Sequence, residues 1–548
     1  MTGLFIQLRS ATLTWLAGFA MATAAALAGC GKGAEPPADK GPKVAKFRAP
    51  GRWFRDLQAD FSSYANPANE PDRYRVERLA DFDSMASELR QDTVLTLASA
   101  YSTTNLPCYA NSPWGEALPV EMLQEVHVLV VDTACVREFA RNGWLTPFDQ
   151  GILDLLKETG VVPIRAVGPD DKEIAPPVYG IPLTRGADFA FYRKSCFAGS
   201  AARANGTRAG DAISPAVLLD STSRVATDGQ EFWRFFLALV WSEEPDWPRQ
   251  ANGAFAVDTP AARRVLEALR RSTQLGPLAS ASNRMKFSSQ FQTCFDSFAG
   301  TAAGPSAATQ PSACWLLSTS GQRILIAPWG LPVKLSDIGF LPLTASVGTA
   351  GCSLETGQAL VMTRRLSASD RDALSAREVA GKLAGYLLSK LGQRDLVLDQ
   401  FQVPARPGVL DALTVKEVAA VFGARHAGLD DRTYQKKLKA GELTLDEDSL
   451  QFGERTLSLL RQMEKTLNDS ASLRLVGSNP LSMHQCSLID RMLHELLAKP
   501  NTHPADGAAS PEDANPVARA LQRLREQLEV DQRFVAQSSR NLSRASAP

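Results

Sequence analysis

The sequence predicts an α/β protein with a parallel sheet covered by helices on both faces, and three observations carry that prediction. Strand-like alternation and helix-like spacing take turns from Lys43 onward. Val128-Leu129-Val130-Val131 is a continuous apolar run ended by Asp132-Thr133, the pattern of a central strand buried on both faces. The chain has 548 residues, of which 44% are hydrophobic and 22% charged, so a disordered tail, a collagen and a multi-span membrane protein are excluded. At about 150 residues per domain that length predicts about two to four lobes.

The elements follow in order. Lys43 to Phe47 alternates as a short strand. Trp53, Phe54, Leu57 and Phe61 then recur at helical spacing within Arg52 to Tyr64. Tyr74 to Leu79 alternates again, and Met85, Leu89, Val94 and Leu97 mark a helix from Ser84 to Ala100. After the strand at Val128 to Val131, Ala134 to Asn142 is predicted helical, and Gly143 to Asp149 closes the unit as a hydrophobic turn. Strand, helix, strand, helix, strand predicts a parallel sheet, in which ligands sit at the carboxyl ends of the strands. Val178 to Leu183 leads through the polar break Thr184-Arg185-Gly186 into a second strand-like run, Ala187 to Lys194. A strand that leaves one sheet and enters another through such a break makes a crossing between lobes. The C-terminal region is helical by pattern at Val415 to Phe422, Leu450 to Leu467 and Ser487 to Leu497. Beyond the Pro/Ala/Asp-rich stretch from Pro500 to Pro516, a last amphipathic helix carries Val517, Leu521, Leu524, Leu528 and Phe534, expected to dock on its own chain.

The first 29 residues carry one charge, Arg9, before an Ala-rich apolar stretch that ends in Leu27-Ala28-Gly29-Cys30. This reads as a signal peptide whose last four residues resemble the lipobox of bacterial lipoproteins. That resemblance implies Cys30 as the lipid-bearing mature N-terminus, residues 30–42 as a tether, and a folded part that works outside the cytoplasm. Seven further cysteines, Cys108, Cys135, Cys196, Cys294, Cys314, Cys352 and Cys486, permit up to three disulfides in that compartment, with Cys294–Cys314 the first candidate pair. No Cys-x-x-Cys motif is present, so zinc and redox readings have no support. Equal numbers of basic and acidic side chains, 59 of each, give no electrostatic reason to expect nucleic acid. Five histidines, none in a paired ligand spacing, argue against a histidine-built metal or nucleophile site. Gly-x-Ser-x-Gly, His-Glu-x-x-His and phosphate-cradling loops are also missing, so the reading is of a binding protein, not an enzyme, with no cofactor.

A resemblance rests on the order of several segments. Val128 to Asp132, Gly143-Trp144-Leu145, Tyr179-Gly180-Ile181-Pro182 and Phe191-Tyr192-Arg193-Lys194 are followed by Phe298 to Ala303, Ala313-Cys314-Trp315 and Ile338 to Leu343. Ala380 to Leu391 and Val403-Pro404-Ala405-Arg406 complete the series. Over roughly residues 43–413 this order is similar to the extracytoplasmic solute-binding proteins of ABC importers, in the larger class that includes maltose and other oligosaccharide binders. The resemblance implies a two-lobed periplasmic-binding-protein-like fold, with discontinuous lobes, a hinge cleft and here a helical C-terminal extension. Carried onto this chain, the N-lobe is 43–185 plus 336–400, the C-lobe 186–335 plus the helical 401–499, and 500–548 holds a linker and the last helix. It also implies an ABC permease as partner. Residues 199–228, the insertion at 304–312 and the long C-terminal region depart from a minimal binder. A non-transport ligand-sensing or scaffold protein on the same fold is the alternative they leave open.

Recognition of a sugar needs flat apolar faces for the C–H surface of the ring and carboxylates or amides for its hydroxyls. Trp315 matches a stacking tryptophan of the family, and Trp241 stands at a helix end beside Ser242-Glu243-Glu244-Pro245. The polar candidates are Asp132 and Thr133 at the end of their strand, Arg185 and Asp188 at the crossing, and Ser353 and Glu355 in the turn Gly351 to Gly357. Each also suits a helix cap or a surface charge. Arg185 stands where family members often carry an acidic residue, and a guanidinium there suits a carboxylate or phosphate.

Overall fold

A computed structural model of the chain describes residues 43–48, 61, 64–66, 74–78, 127–141, 143–167, 173–194, 225–227, 232–248, 255–272, 298, 315–317, 338–345, 350–367, 371–429, 431–476, 481, 483–497 and 515–545. The signal segment with Cys30, the helices expected at 52–64 (save Phe61 and Tyr64) and 84–100, the Cys294–Cys314 pair and the insertion at 304–312 lie outside the described residues.

Two sheets organise the rest. The first has seven strands in the order β2-β1-β3-β13-β6-β5, with β4 beside β13. Its members are β1 (Lys43–Arg48), β2 (Tyr74–Arg78), β3 (Val128–Asp132), β4 (Leu145–Thr146), β5 (Ile164–Val167), β6 (Glu173–Pro182) and β13 (Gln358–Thr363). β1 pairs in parallel with both β2 and β3, as strand–helix alternation predicts. The sheet is nevertheless mixed, because β13 returns from far along the chain and runs antiparallel to β3, β4 and β6. The second sheet has four strands, β8 (Phe189–Arg193), β9 (Val225–Thr227), β10 (Trp315–Leu317) and β11 (Ile338–Pro342), in the order β11-β8-β10-β9. β11 pairs with β8 over its whole length. This corrects the expected start of the returning N-lobe segment at residue 336: the chain is still in the second sheet until Pro342.

Helix α1 (Thr133–Arg141) follows β3 directly, and α2 (Gln150–Thr159) is started by Asp149, whose carboxylate accepts the Ile152 N–H, and stopped by Gly160 in the left-handed region. α5 (Arg371–Leu388) and α6 (Lys390–Gln400) are separated by Ser389, whose hydroxyl caps α6 by accepting the Gly392 N–H. α3 (Phe232–Glu243) and α4 (Pro260–Ser272) lie in the chain between β9 and β10. Every residue of α3 from Phe232 to Trp241 is buried; a helix apolar all round belongs inside a protein, not at its surface.

The C-terminal region holds α7 (Val409–Ala412), α8 (Val415–His426), α9 (Asp431–Lys439), α10 (Glu447–Asn468), α11 (Met483–Leu497) and α12 (Pro516–Ala545). α12 buries Val517, Leu521, Leu524 and Leu528 in one hydrophobic cluster with α3, α4 and α11. The last helix therefore docks on its own chain. The same cluster reaches Leu129, Val131, Val136 and Val361 of the first sheet and its helix, so apolar packing is continuous between the two sheets.

Candidate functional site

The chain passes between the sheets at a narrow place where three segments run side by side. The first goes from β6 through β7 (Thr184–Arg185) into β8. The second returns from β11 through β12 (Gly351–Leu354) into β13. The third, β14 (Val403–Pro404), pairs antiparallel with β7, and β15 (Leu473–Val476) pairs in parallel with β12. An isolated bridge joins Gly186 to Thr356. Gly357 has φ +144, and a Cβ there would stand 2.2 Å from the Thr184 carbonyl oxygen. Only glycine lets the two crossings approach so closely.

The polar residues expected from the sequence converge here. Asp132 ends β3, and one carboxylate oxygen accepts the Ala134 N–H at 2.9 Å, the first-turn cap of α1. The Thr133 hydroxyl donates to the Glu355 carbonyl at 3.0 Å, tying the start of α1 to the turn between β12 and β13. Arg185 Nε lies 3.0 Å from Glu355 Oε1, and its Nη1 donates to Asn468 Oδ1 at 2.9 Å. The guanidinium thus already has a carboxylate partner within the chain. Asp188 donates its backbone N–H to the Ser353 hydroxyl at 2.8 Å, and that hydroxyl lies 3.3 Å from Asp188 Oδ2.

Between the carboxylates of Asp132 and Asp188 sits Arg234 of α3, which sequence reasoning missed. Its Nε is 3.1 Å from Asp188 Oδ1, and its Nη1 is 3.5 Å from Asp132 Oδ2. All three side chains are at most 6% exposed. Burial pushes the Asp188 carboxyl above its ordinary range; the charge and hydrogen bond of Arg234 pull it down, and the Asp132 charge pushes it up. The missed signal was one charge inside Phe232-Trp233-Arg234-Phe235-Phe236: a charge carried into a core by such a run must find partners there. Gln358 was missed as well. It stands opposite Asp132 in the β3–β13 register, it is 1% exposed, and neither atom of its side-chain amide has a hydrogen-bond partner.

The two aromatic candidates are both buried. Trp315 is fully buried, 5.4 Å from the Tyr192 ring, and Trp241 donates its indole N–H to the Trp247 carbonyl at 2.7 Å. Both pack in one hydrophobic cluster: Trp315 lies on an inner strand of the second sheet, and Trp241 on a helix buried from Phe232 onward. Among the described residues no His/Cys/Asp/Glu group could hold a metal ion, and no helix is long and apolar enough to cross a membrane.

The arrangement defines a class of fold: two α/β units exchanging strands through a polar crossing. No family model and no curated protein matches the chain. Among solved structures, it is similar to the maltose-bound MalE3 of T. maritima, with a TM-score of 0.47 at 12% identity over 89% of this chain and 99% of that one. The GacH receptor of Streptomyces glaucescens, solved unliganded and with acarbose, gives 0.46 at 14% identity over 89% and 99%. An ABC transporter solute-binding protein from Agrobacterium radiobacter in complex with ribitol gives 0.47 at 11% identity over 89% and 100%.

Proposed function

We propose that this chain is a lipid-anchored extracytoplasmic solute-binding protein that takes a small polar ligand of the carbohydrate class between its lobes and presents it to an ABC permease. The observation that carries the reading is the convergence of Asp132, Thr133, Arg185, Asp188, Ser353 and Glu355, from both sheets, on the place where the chain crosses between them. Carboxylates and hydroxyls drawn from two lobes are the groups that a polyol needs, and a ligand bonded to both lobes stabilises closure by its differential affinity. The named ligands of similar structures, maltose, ribitol and the D-mannitol of an Agrobacterium vitis ABC transporter solute-binding protein, set the first compounds to test. The anchor in this reading is Cys30, in the Leu27-Ala28-Gly29-Cys30 sequence.

Thermal melting of the purified chain with maltose, ribitol and D-mannitol tests it. A ligand that binds only the folded protein at about 100 times its Kd adds about 2.7 kcal/mol, so the melting temperature rises in a concentration-dependent way. No rise with any of the three counts against the reading.

One observation favours a second reading, a ligand-sensing or scaffold protein that does not feed a permease. The two carboxylates at the crossing are already bonded to Arg234 of the same chain.

A further inference from the structure

We propose that Arg234 is a built-in clamp: its guanidinium bridges the two lobes at the polar crossing and holds them closed without a ligand, so that an incoming molecule has to displace it. The inference concerns regulation of the site proposed above and rests on that reading.

The two carboxylates belong to different parts of the fold. Asp132 ends a strand of the seven-stranded sheet, and Asp188 directly precedes the β8 strand of the four-stranded one. Both are held in orientation before Arg234 arrives: Asp132 by the Ala134 N–H and Asp188 by Ser353. Arg234 itself is carried on α3, whose neighbours are β12, α4 and α11. Its Nε serves Asp188 and its Nη1 reaches Asp132, so one side chain spans the gap. At 4% exposure the guanidinium is out of water, where charge pairs are strong and an unpaired charge is costly. A ligand shifts a closing equilibrium only by what it adds to the closed state. An internal cation already making those bonds removes much of that difference, and the closed form becomes the resting form.

Asp132→Asn removes the carboxylate that Arg234 reaches on the first sheet and leaves the apolar cluster shared by the two sheets unaltered. Asparagine caps α1 as well as aspartate does, and the Arg234–Asp188 pair stays. Small-angle scattering of the full chain without added sugar is expected to give a larger radius of gyration for Asp132→Asn than for the wild type, with the far-ultraviolet dichroism of the two the same. Equal radii overturn the clamp. If Asp132→Asn does not fold, Arg234→Lys, a shorter cation without the planar fork, is expected to give the same expansion, and the same null result overturns the idea. Because this comparison uses no ligand, it decides the clamp even if maltose, ribitol and D-mannitol all fail to bind and the solute-binding reading falls.

Discussion

Replacing Arg234 by methionine removes the cation that, among the described residues, pairs with both Asp132 and Asp188, which are 5% and 3% exposed. Breaking a buried pair by deleting one partner costs about 3–5 kcal/mol, because the remaining charge stays out of water. Asp188 can escape part of that cost by taking up a proton. Asp188 is already pushed up by burial, with Arg234 the main influence holding it down, so the methionine variant lets it rise further. A carboxyl that holds its proton more tightly folded than unfolded contributes stability that is fully present below its unfolded value near 3.8 and is lost as pH rises through its folded value. The groups facing it are Asp132, Arg234 and the Ser353 hydroxyl; only the first two carry charge. The deficit of Arg234→Met relative to the wild type is therefore expected to be smallest toward about pH 4 and to grow as pH rises, up to about 3–5 kcal/mol. Urea unfolding followed by circular dichroism at four pH values measures it. A deficit below about 1 kcal/mol at every pH, the size of an exposed pair, would refute the reasoning, as would one that does not change with pH.

Two further outcomes follow from the same geometry. Trp315→Ala empties a fully buried site and is expected to cost about 3–5 kcal/mol of stability, seen as a lower urea midpoint. Gln358→Met keeps the side-chain length and removes a buried amide without a hydrogen-bond partner, so the unliganded protein is expected to melt higher, by about 1–3 kcal/mol of stability; a lower melting temperature means that the amide is satisfied.

Much of the fold could be read from local pattern. Val128 to Val131 could only be a strand buried on both sides, and it lies at the centre of the larger sheet. The periodic apolar positions of α10 and α11 marked two helices within a few residues of their observed ends, and those of α12 marked its start, although that helix runs eleven residues beyond Phe534. What pattern does not carry is direction and depth. β13 has the same apolar character whether it runs parallel or antiparallel, and its pairing with β3 is set by a return of more than two hundred residues. A tryptophan in a strand has equal claim to a cleft or a core, and the sequence alone does not show that Trp315 is fully buried. Asp132, Asp188, Ser353 and Glu355 could be placed at the crossing from the sequence because Asp132 ends β3, Asp188 directly precedes β8, and Ser353 and Glu355 lie in and just after β12. Their partner could not, because Arg234 sits in an almost wholly apolar helix and looks there like an interruption.

The central claim is that the polar crossing is tied by one buried cation acting across the two sheets. A double-mutant cycle on Asp132→Asn and Arg234→Met measures that tie directly by urea unfolding near pH 8. The account predicts a coupling energy of about 0.5–3 kcal/mol, the double variant losing less than the two single losses together. Losses that simply add, within about 0.3 kcal/mol, would contradict it.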